Sequence, residues 1–385
     1  MQAANSGWTG RLSASAVAAV FAAGAALFLA VESQKAMLAL LLGAGVLVVA
    51  IRRLKGLRPF LQAAAEHEET GALTGVAFAL LLCVLFRDDH FTVFLIGQVL
   101  LATLACLGLH LQFGSAGVAN FAGAAFFGVG GYTAAVLSAH SHLPHLLALV
   151  LGGTVSSLIG SLLLLPLLRT RGHYAALITI AFGLLFRTFA EVNDSLGGPQ
   201  GLKLQGFKLF SWQFNEELAI GPFHGSFFIN YVIAAIALLA LAFALVRRLD
   251  RSWLGLALDA VRLDETAASV FGLEVARWKI VAFTLGNFLI GAAGALSAFM
   301  VGFIAPNNFT FAESLTFVSI ILLGGIANAW GVALAAFIVV VLPEKLQVIQ
   351  EYRFLLFAAL VIVILRYRPE GLVPRPLRRY FRGIA

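Results

Sequence analysis

Residues 247–279, RRLDRSWLGLALDAVRLDETAASVFGLEVARWK, form a long charged segment set between two strongly apolar runs. Apolar side chains recur at Leu254, Leu258 and Val261, and again at Ala268 and Phe271, a helical spacing. Asp264 is placed to cap a helix that begins Glu265-Thr266-Ala267-Ala268, and Gly272 is placed to end it after Phe271. The pattern predicts a short capped helix outside the bilayer, with small alanines on one side and a basic flank. Small residues admit another protein's backbone, and arginines give such a contact direction. An ordinary solvated loop carries the same charges.

The flanks decide the class. The chain has 385 residues, of which 61% are hydrophobic and 12% charged, with a mean hydropathy of +0.94. Soluble domains carry roughly 25% charged residues, so a soluble fold is excluded. Apolar runs fall at 12–31, 36–51, 71–86, 91–111, 119–139, 145–168, 173–192, 228–246, 277–302, 311–326, 329–342 and 352–365. They predict an all-α, polytopic membrane protein with about 10–12 transmembrane or re-entrant helices. The first run is read as a retained span and not a cleaved signal, because a second follows almost at once. Cys83 and Cys106 lie inside apolar runs and read as small buried hydrophobes.

The net charge of +7 does not point to nucleic acid, because the basic residues sit between apolar spans. With the N-terminus inside, 19 of the 26 Lys and Arg fall on that side, while the acidic residues divide almost evenly. Lys and Arg set membrane orientation, so both termini and the 247–279 segment are expected in the cytoplasm and 193–227 outside. A short repeat, Gly117-Val118-Ala119-Asn120 and Gly325-Ile326-Ala327-Asn328, would be parallel in this topology.

No lysine follows a glycine, so the chain has no phosphate-binding loop of its own. His140, His142 and His145 are loosely spaced like metal ligands but read better as a polar turn ended by Pro144. No catalytic set stands out, which disfavours a membrane enzyme. Arg187 and Glu191 are four apart and would pair on one face of an intramembrane helix. Such ionisable groups are few, which argues against a stand-alone secondary carrier or channel. The stretch Gly114–Tyr132, GSAGVANFAGAAFFGVGGY, suits either close helix packing or a broken helix lining a cavity. Gly117, Gly128, Gly324 and Gly325 are the candidate break points. Gln98, Asn120, Thr179 and Asn287 would supply uncharged polar atoms to a pathway. Outside, Phe207, Phe210, Trp212 and Phe214 suggest an interfacial belt or a docking surface.

Several segments together resemble the LivM-type permease subunit of branched-chain amino acid ABC importers. Arg169-Thr-Arg171-Gly172-His-Tyr174 with Leu177-Ile-Thr179 is similar to the family's R-x-R-G-x-Y-x-A-[IL]-x-T segment. Gly197-Gly198-Pro199-Gln200-Gly201-Leu202 is similar to its GGPNGL. Gly302-Phe-Ile-Ala-Pro306 through Phe309-Thr-Phe-Ala-Glu313-Ser314, then Leu323-Gly324-Gly325 and Arg366-x-Arg368-Pro369-x-Gly371-Leu372, extend the likeness over roughly residues 90–375. Departures occur at Asn120, Gly123 and Leu184, where relatives commonly carry Ser, His and Glu.

The resemblance implies a permease domain at 71–375, an additional N-terminal hairpin and cytoplasmic linker at 1–70, and a basic cytoplasmic tail at 376–385. It implies a multi-pass subunit of a bacterial inner-membrane importer. The partners would be a homologous second permease, two cytoplasmic ATPases and a periplasmic solute-binding protein. ATP and Mg would be bound by the ATPases and no cofactor by this chain. The 251–279 loop would carry the helix that couples to the ATPase. Ala267 and Ala268 would pack in the ATPase groove, and Asp259, Arg262, Asp264 and Glu265 would make polar contacts around it. Gly272 would turn the chain back to the membrane, although Thr266 shifts the acidic residue one place from the strict family pattern. The cargo would be a branched-chain or other hydrophobic amino acid, with urea, short amides or another amino acid as alternatives.

Overall fold

The computed structural model describes residues 68–141, 143–168, 174–209, 212–220, 223–326 and 329–345, with scattered positions in 15–43 and 351–371. Residues 52–67, 169–173, Phe210, Ala327-Asn328 and 376–385 lie outside the described residues.

Helix α1 (Glu68–Leu85) leads to α2 (His90–His110), which widens into a π-type turn over Leu111–Ser115. Then come α3 (Gly123–His140), α4 (His145–Leu167) and α5 (Tyr174–Val192). A short-stranded segment follows, with β1 (Leu202–Lys203), β2 (Lys208–Leu209), β3 (Trp212–Gln213), β4 (Leu218–Ile220) and β5 (Phe223–Gly225). Helices α6 (Phe228–Asp250), α7 (Trp253–Leu263), α8 (Glu265–Val270) and α9 (Val275–Val301) come next. The chain continues through β6 (Phe303–Ile304), α10 (Phe311–Gly324) and α11 (Ala329–Lys345). Five of the described helices are long and apolar enough to cross a membrane: α2 with its π turn, α4, α5, α6 and α9. The fold is that of a polytopic helical membrane protein.

Helix α9 runs through the centre, packed against α2, α3 and α4. Between helices already in lipid the hydrophobic effect gives little drive, so close backbone packing has to hold them. The sequence meets that need with small residues on facing sides. A Cβ on Gly130 of α3 would lie 2.0 Å from the Gly291 carbonyl oxygen of α9, and one on Gly108 of α2 would lie 2.3 Å from that of Gly286. Neither position has room for alanine. Helix α5 is peripheral, and only Thr179 and Ala190 among its residues are buried.

At the end of the bundle where α5 finishes and α6 begins, β1 and β6 pair antiparallel with Leu202 opposite Ile304. The Leu204 amide donates to the Gly302 carbonyl at 3.0 Å. The Gly197–Leu202 and Gly302–Pro306 motifs, a hundred residues apart in sequence, therefore form one structure. The aromatics of this segment divide, which corrects their reading as a common surface. Trp212 is 38% exposed, whereas Phe207 and Phe214 are buried with ring centroids 4.8 Å apart. The β2–β3 hairpin folds these two phenylalanines inward, Phe207 against Phe299 of α9 and Phe214 against Tyr231 of α6. His145 accepts from the Lys208 amide at 2.8 Å and stacks on Phe299, so it pins the same hairpin.

Candidate functional site

The π turn ends α2, and the chain stays non-helical from Ala116 to Ala122 before α3 begins. Broken backbone within an apolar bundle needs internal partners, because lipid offers none. The Phe121 amide donates to Thr179 Oγ1 at 3.0 Å, the Ala122 amide to Asn120 Oδ1 at 2.9 Å, and the Ala124 amide to Ser314 Oγ at 3.1 Å. Asn120 Nδ2 donates in turn to Gln112 Oε1 at 2.7 Å. Gln112 Nε2 reaches Asn287 Oδ1 at 3.0 Å and the Phe283 carbonyl at 3.2 Å, both on α9. Gln112, Asn120, Thr179 and Asn287 are fully buried, and Asn287 Nδ2 has no hydrogen-bond partner among the described residues.

Three of the four expected polar residues, Asn120, Thr179 and Asn287, thus converge on the break. Gln98 does not. It stands half-buried on α2, fourteen residues before Gln112, or about 21 Å along a helix axis. Gln112, the hub, and Ser314, which caps α3, were not singled out from sequence. Both carried a signal: Gln112 is an amide in an apolar run directly before the glycine-rich stretch, and Ser314 closes the F-T-F-x-x-S motif. In that motif Thr310 caps α10 through the Glu313 amide.

Gly117 lies in the break with φ +70°, and Gly325 follows α10 with φ +111°. These are the first residues of the two repeated tetrapeptides. The breaks abut, since a Cβ on Gly114 would lie 2.1 Å from the Ile326 carbonyl oxygen. Gly324 is the last residue of α10 and packs against Gly331 of α11. Gly128 is not a break point. It sits inside α3, where a Cβ would lie 2.6 Å from the Phe186 ring, so it serves packing. The expected Arg187–Glu191 pairing is also replaced. The Pro306–Asn308 turn packs against α5, and Arg187 donates there to Asn307 Oδ1 at 3.2 Å.

The 247–279 segment forms the end of α6, the two short helices α7 and α8, and the start of α9. Asp264 caps α8, accepting from the Thr266 amide at 2.8 Å and the Ala267 amide at 3.0 Å. Gly272, at φ +82°, ends it, and the Leu273 amide returns to the Ala268 carbonyl at 3.0 Å. Glu265 pairs with Lys279 at 2.6 Å, tying α8 to the start of α9. Asp259 pairs with Arg262 at 3.6 Å, and both are turned toward the bundle. Ala268 corrects its expected role. It is 4% exposed and belongs to the core cluster with Leu258 and Val261, so it cannot enter a partner's groove without α8 unseating. Ala267 is exposed. The outward surface is apolar: Leu263, Val270 and Phe271 are 76%, 80% and 87% exposed. Large exposed apolar groups at the ends of two short helices outside the spans mark a contact surface.

Residues 91–365 match the family model described as branched-chain amino acid transport system, permease component. The chain is 35% identical over 282 residues to the high-affinity branched-chain amino acid transport system permease protein LivM of Salmonella typhimurium, covering 70% of this chain and 66% of that one. It is 33% identical over 311 residues to LivM of Escherichia coli, covering 75% and 73%. A probable branched-chain amino acid transport permease protein LivH of Methanocaldococcus jannaschii is 25% identical over 248 residues, covering 62% and 75%. No solved structure matches.

Proposed function

The chain belongs to the family of permease components of branched-chain amino acid transport systems, and on that premise we propose that it is a membrane-spanning subunit of an ATP-driven importer for branched-chain or other hydrophobic amino acids. It forms the pathway with a homologous second permease. A periplasmic binding protein delivers the cargo, and two ATPases supply the drive, binding the ATP and Mg that this chain does not. The setting is a bacterial inner membrane, with the 251–279 loop and both termini in the cytoplasm. The fitting occurrence of a LivH-named protein among the relatives supports the paired permease.

The observation that carries this reading is the exposed apolar side chains of Leu263 at the end of α7 and of Val270 and Phe271 at the end of α8, outside the long spans. We assign the ATPase contact to these three with Ala267 and Glu265, and assign Asp259, Arg262 and Ala268 to holding the helix on the bundle. Motion of this segment has a route inward. Arg262 lies over Gly117, and Ser115 Oγ donates to Asp250 Oδ1 at 3.4 Å, both at the α2–α3 break. Shifting the break would exchange partners in the Gln112–Asn120–Asn287 network and open the pathway there. The test is uptake of labelled leucine by cells lacking the native system and supplied with this chain and its partner subunits. ATP-dependent uptake lost with Gln112→Leu and with Phe271→Glu supports the assignment; uptake indifferent to both removes it.

A further inference from the structure

At the end of the bundle that carries the β1–β6 pair, α3 and α5 meet the Pro306–Asn308 turn around three aromatic rings. The centroid of Tyr132 lies 6.1 Å from that of Phe186 and 5.9 Å from that of Phe309, and the two phenylalanines are 6.2 Å apart. Ile304 and Leu202 pack into the same apolar cluster. Two polar atoms beside these rings are left over. Tyr132 is 3% exposed, and its hydroxyl has no hydrogen-bond partner among the described residues. Arg187, next to Phe186, donates from a terminal nitrogen to Asn307 Oδ1 at 3.2 Å, while its Nε is buried with no hydrogen-bond partner among them. A guanidinium keeps its charge at any pH a cell meets, and a charge within a span needs a counter-ion or a wet cavity. Asn307 offers only a neutral oxygen, and Glu191, one turn further along α5, does not pair with Arg187. Unused donors around a buried spot mark a missing acceptor.

We propose that Arg187 and Tyr132 bind the α-carboxylate of the amino-acid cargo, with the cargo side chain against Phe186 and Phe309. The inference rests on the importer reading and gives it a substrate station. Nε and a terminal nitrogen of a guanidinium form a planar fork that engages both oxygens of a carboxylate. The Tyr132 hydroxyl adds a third donor, and the rings give the apolar wall that a branched side chain needs. An acidic side chain of a neighbouring subunit fits less well, because both donors are buried within this chain. The site is closed in this structure, and α5 is the element placed to open it. It is the most exposed of the five spans, with only Thr179 and Ala190 buried. Thr179 also accepts from the Phe121 amide, so a swing of α5 that admits cargo pulls on the α2–α3 break.

The test uses the whole importer in liposomes, with its second permease, ATPases and binding protein, supplied with ATP and photo-leucine. This probe keeps the carboxylate and carries a diazirine in its side chain. Irradiation during turnover, followed by peptide mass spectrometry, locates the adducts on this chain, and uptake of labelled leucine is followed in parallel. Adducts are expected within 182–190 and 303–309. Tyr132→Phe removes a hydroxyl that bonds to nothing else among the described residues, so the melting temperature is expected to hold while uptake and adduct yield fall about tenfold. Arg187→Gln is expected to abolish both; if that variant does not fold, Tyr132→Phe decides alone. Uptake and adducts that survive Tyr132→Phe overturn the proposal, as do adducts that fall only elsewhere on a chain that transports. An uptake loss that comes with a lower melting temperature in Tyr132→Phe overturns it too, by making the tyrosine a packing residue. Loss of the second permease from purified Arg187→Gln would make the arginine a subunit contact instead. A parent that takes up no photo-leucine with ATP fails the importer reading, and the site falls with it.

Discussion

Gly117 lies directly beneath Arg262: a Cβ on the glycine would come within 3.1 Å of the arginine Cγ. The first residue belongs to the break between α2 and α3, the second to α7 outside the spans. The contact joins the segment that carries the proposed ATPase surface to the helix break that holds the polar cluster. With φ at +70°, the position combines a left-handed backbone with a crowded neighbour, two reasons for glycine.

Gly117→Ala is therefore expected to destabilise the chain by about 1–2 kcal/mol. Thermal unfolding in detergent measures this. An unchanged melting temperature would mean that the break relaxes freely and does not bear on Arg262.

Phe271→Glu and Val270→Glu are expected to leave the melting temperature within a degree or so of the parent, because exposed substitutions usually change stability by under about 0.5 kcal/mol. Both should reduce recovery of the ATPase with the tagged chain. Ala268→Arg should act differently. That side chain is buried in the same apolar core as Leu258 and Val261, so the variant is expected to lose folded protein before it loses any partner.

Gln112→Leu strands Asn120 and Asn287 as well as the Phe283 carbonyl. Each stranded group costs roughly 1–3 kcal/mol in a dry core, but polar side chains in the unfolded membrane state also find partners. The expected loss is about 1–2 kcal/mol, read by thermal unfolding together with loss of uptake. Gly160→Ala tests the same cluster from the other side, since its Cβ would lie 2.0 Å from Asn287 Nδ2.

Asp89 caps α2 and gives a pH-dependent term. Burial alone raises its pKa, but hydrogen bonds from the Thr92 side chain and from the Thr92 and Phe91 amides, with the nearby Lys345 charge, hold it below 3.8. A depressed carboxylate stabilises the fold above its unfolded pKa, and that stability disappears as pH falls through the folded value. Asp89→Asn keeps a capping side chain but removes the titration. Melting temperatures from about pH 6 to about pH 3 are expected to fall less steeply in the variant. Parallel curves would show that the cap charge is silent.

Much of this architecture was legible in the chain because membrane spans are written in composition. The α7–α8 pair was legible too, since Asp264 and Gly272 specify local caps that need no tertiary context. Contacts between distant segments were not. Ala268 and Phe271 are both apolar neighbours at a short helix, and only the tertiary core that also holds Leu258 and Val261 decides that the first turns in and the second out. Gly128 and Gly117 look alike in a glycine-dense run, yet one fits against Phe186 while the other sits in a left-handed bend. Arg187 had a suitable partner four residues away and instead took one 120 residues away, because the Asn307 turn packs onto the same helix. Gln112 was missed for a related reason: its three partners lie on the break and on α9, and no local pattern names them.

The decisive measurement is recovery of partner subunits with the tagged chain from mild detergent, comparing the parent with Phe271→Glu. The parent is expected to bring down an ATPase and a second permease, and the variant to keep the permease while losing the ATPase. A parent that comes out alone, and moves solute in liposomes without ATP, would contradict the account and make this chain a carrier or channel.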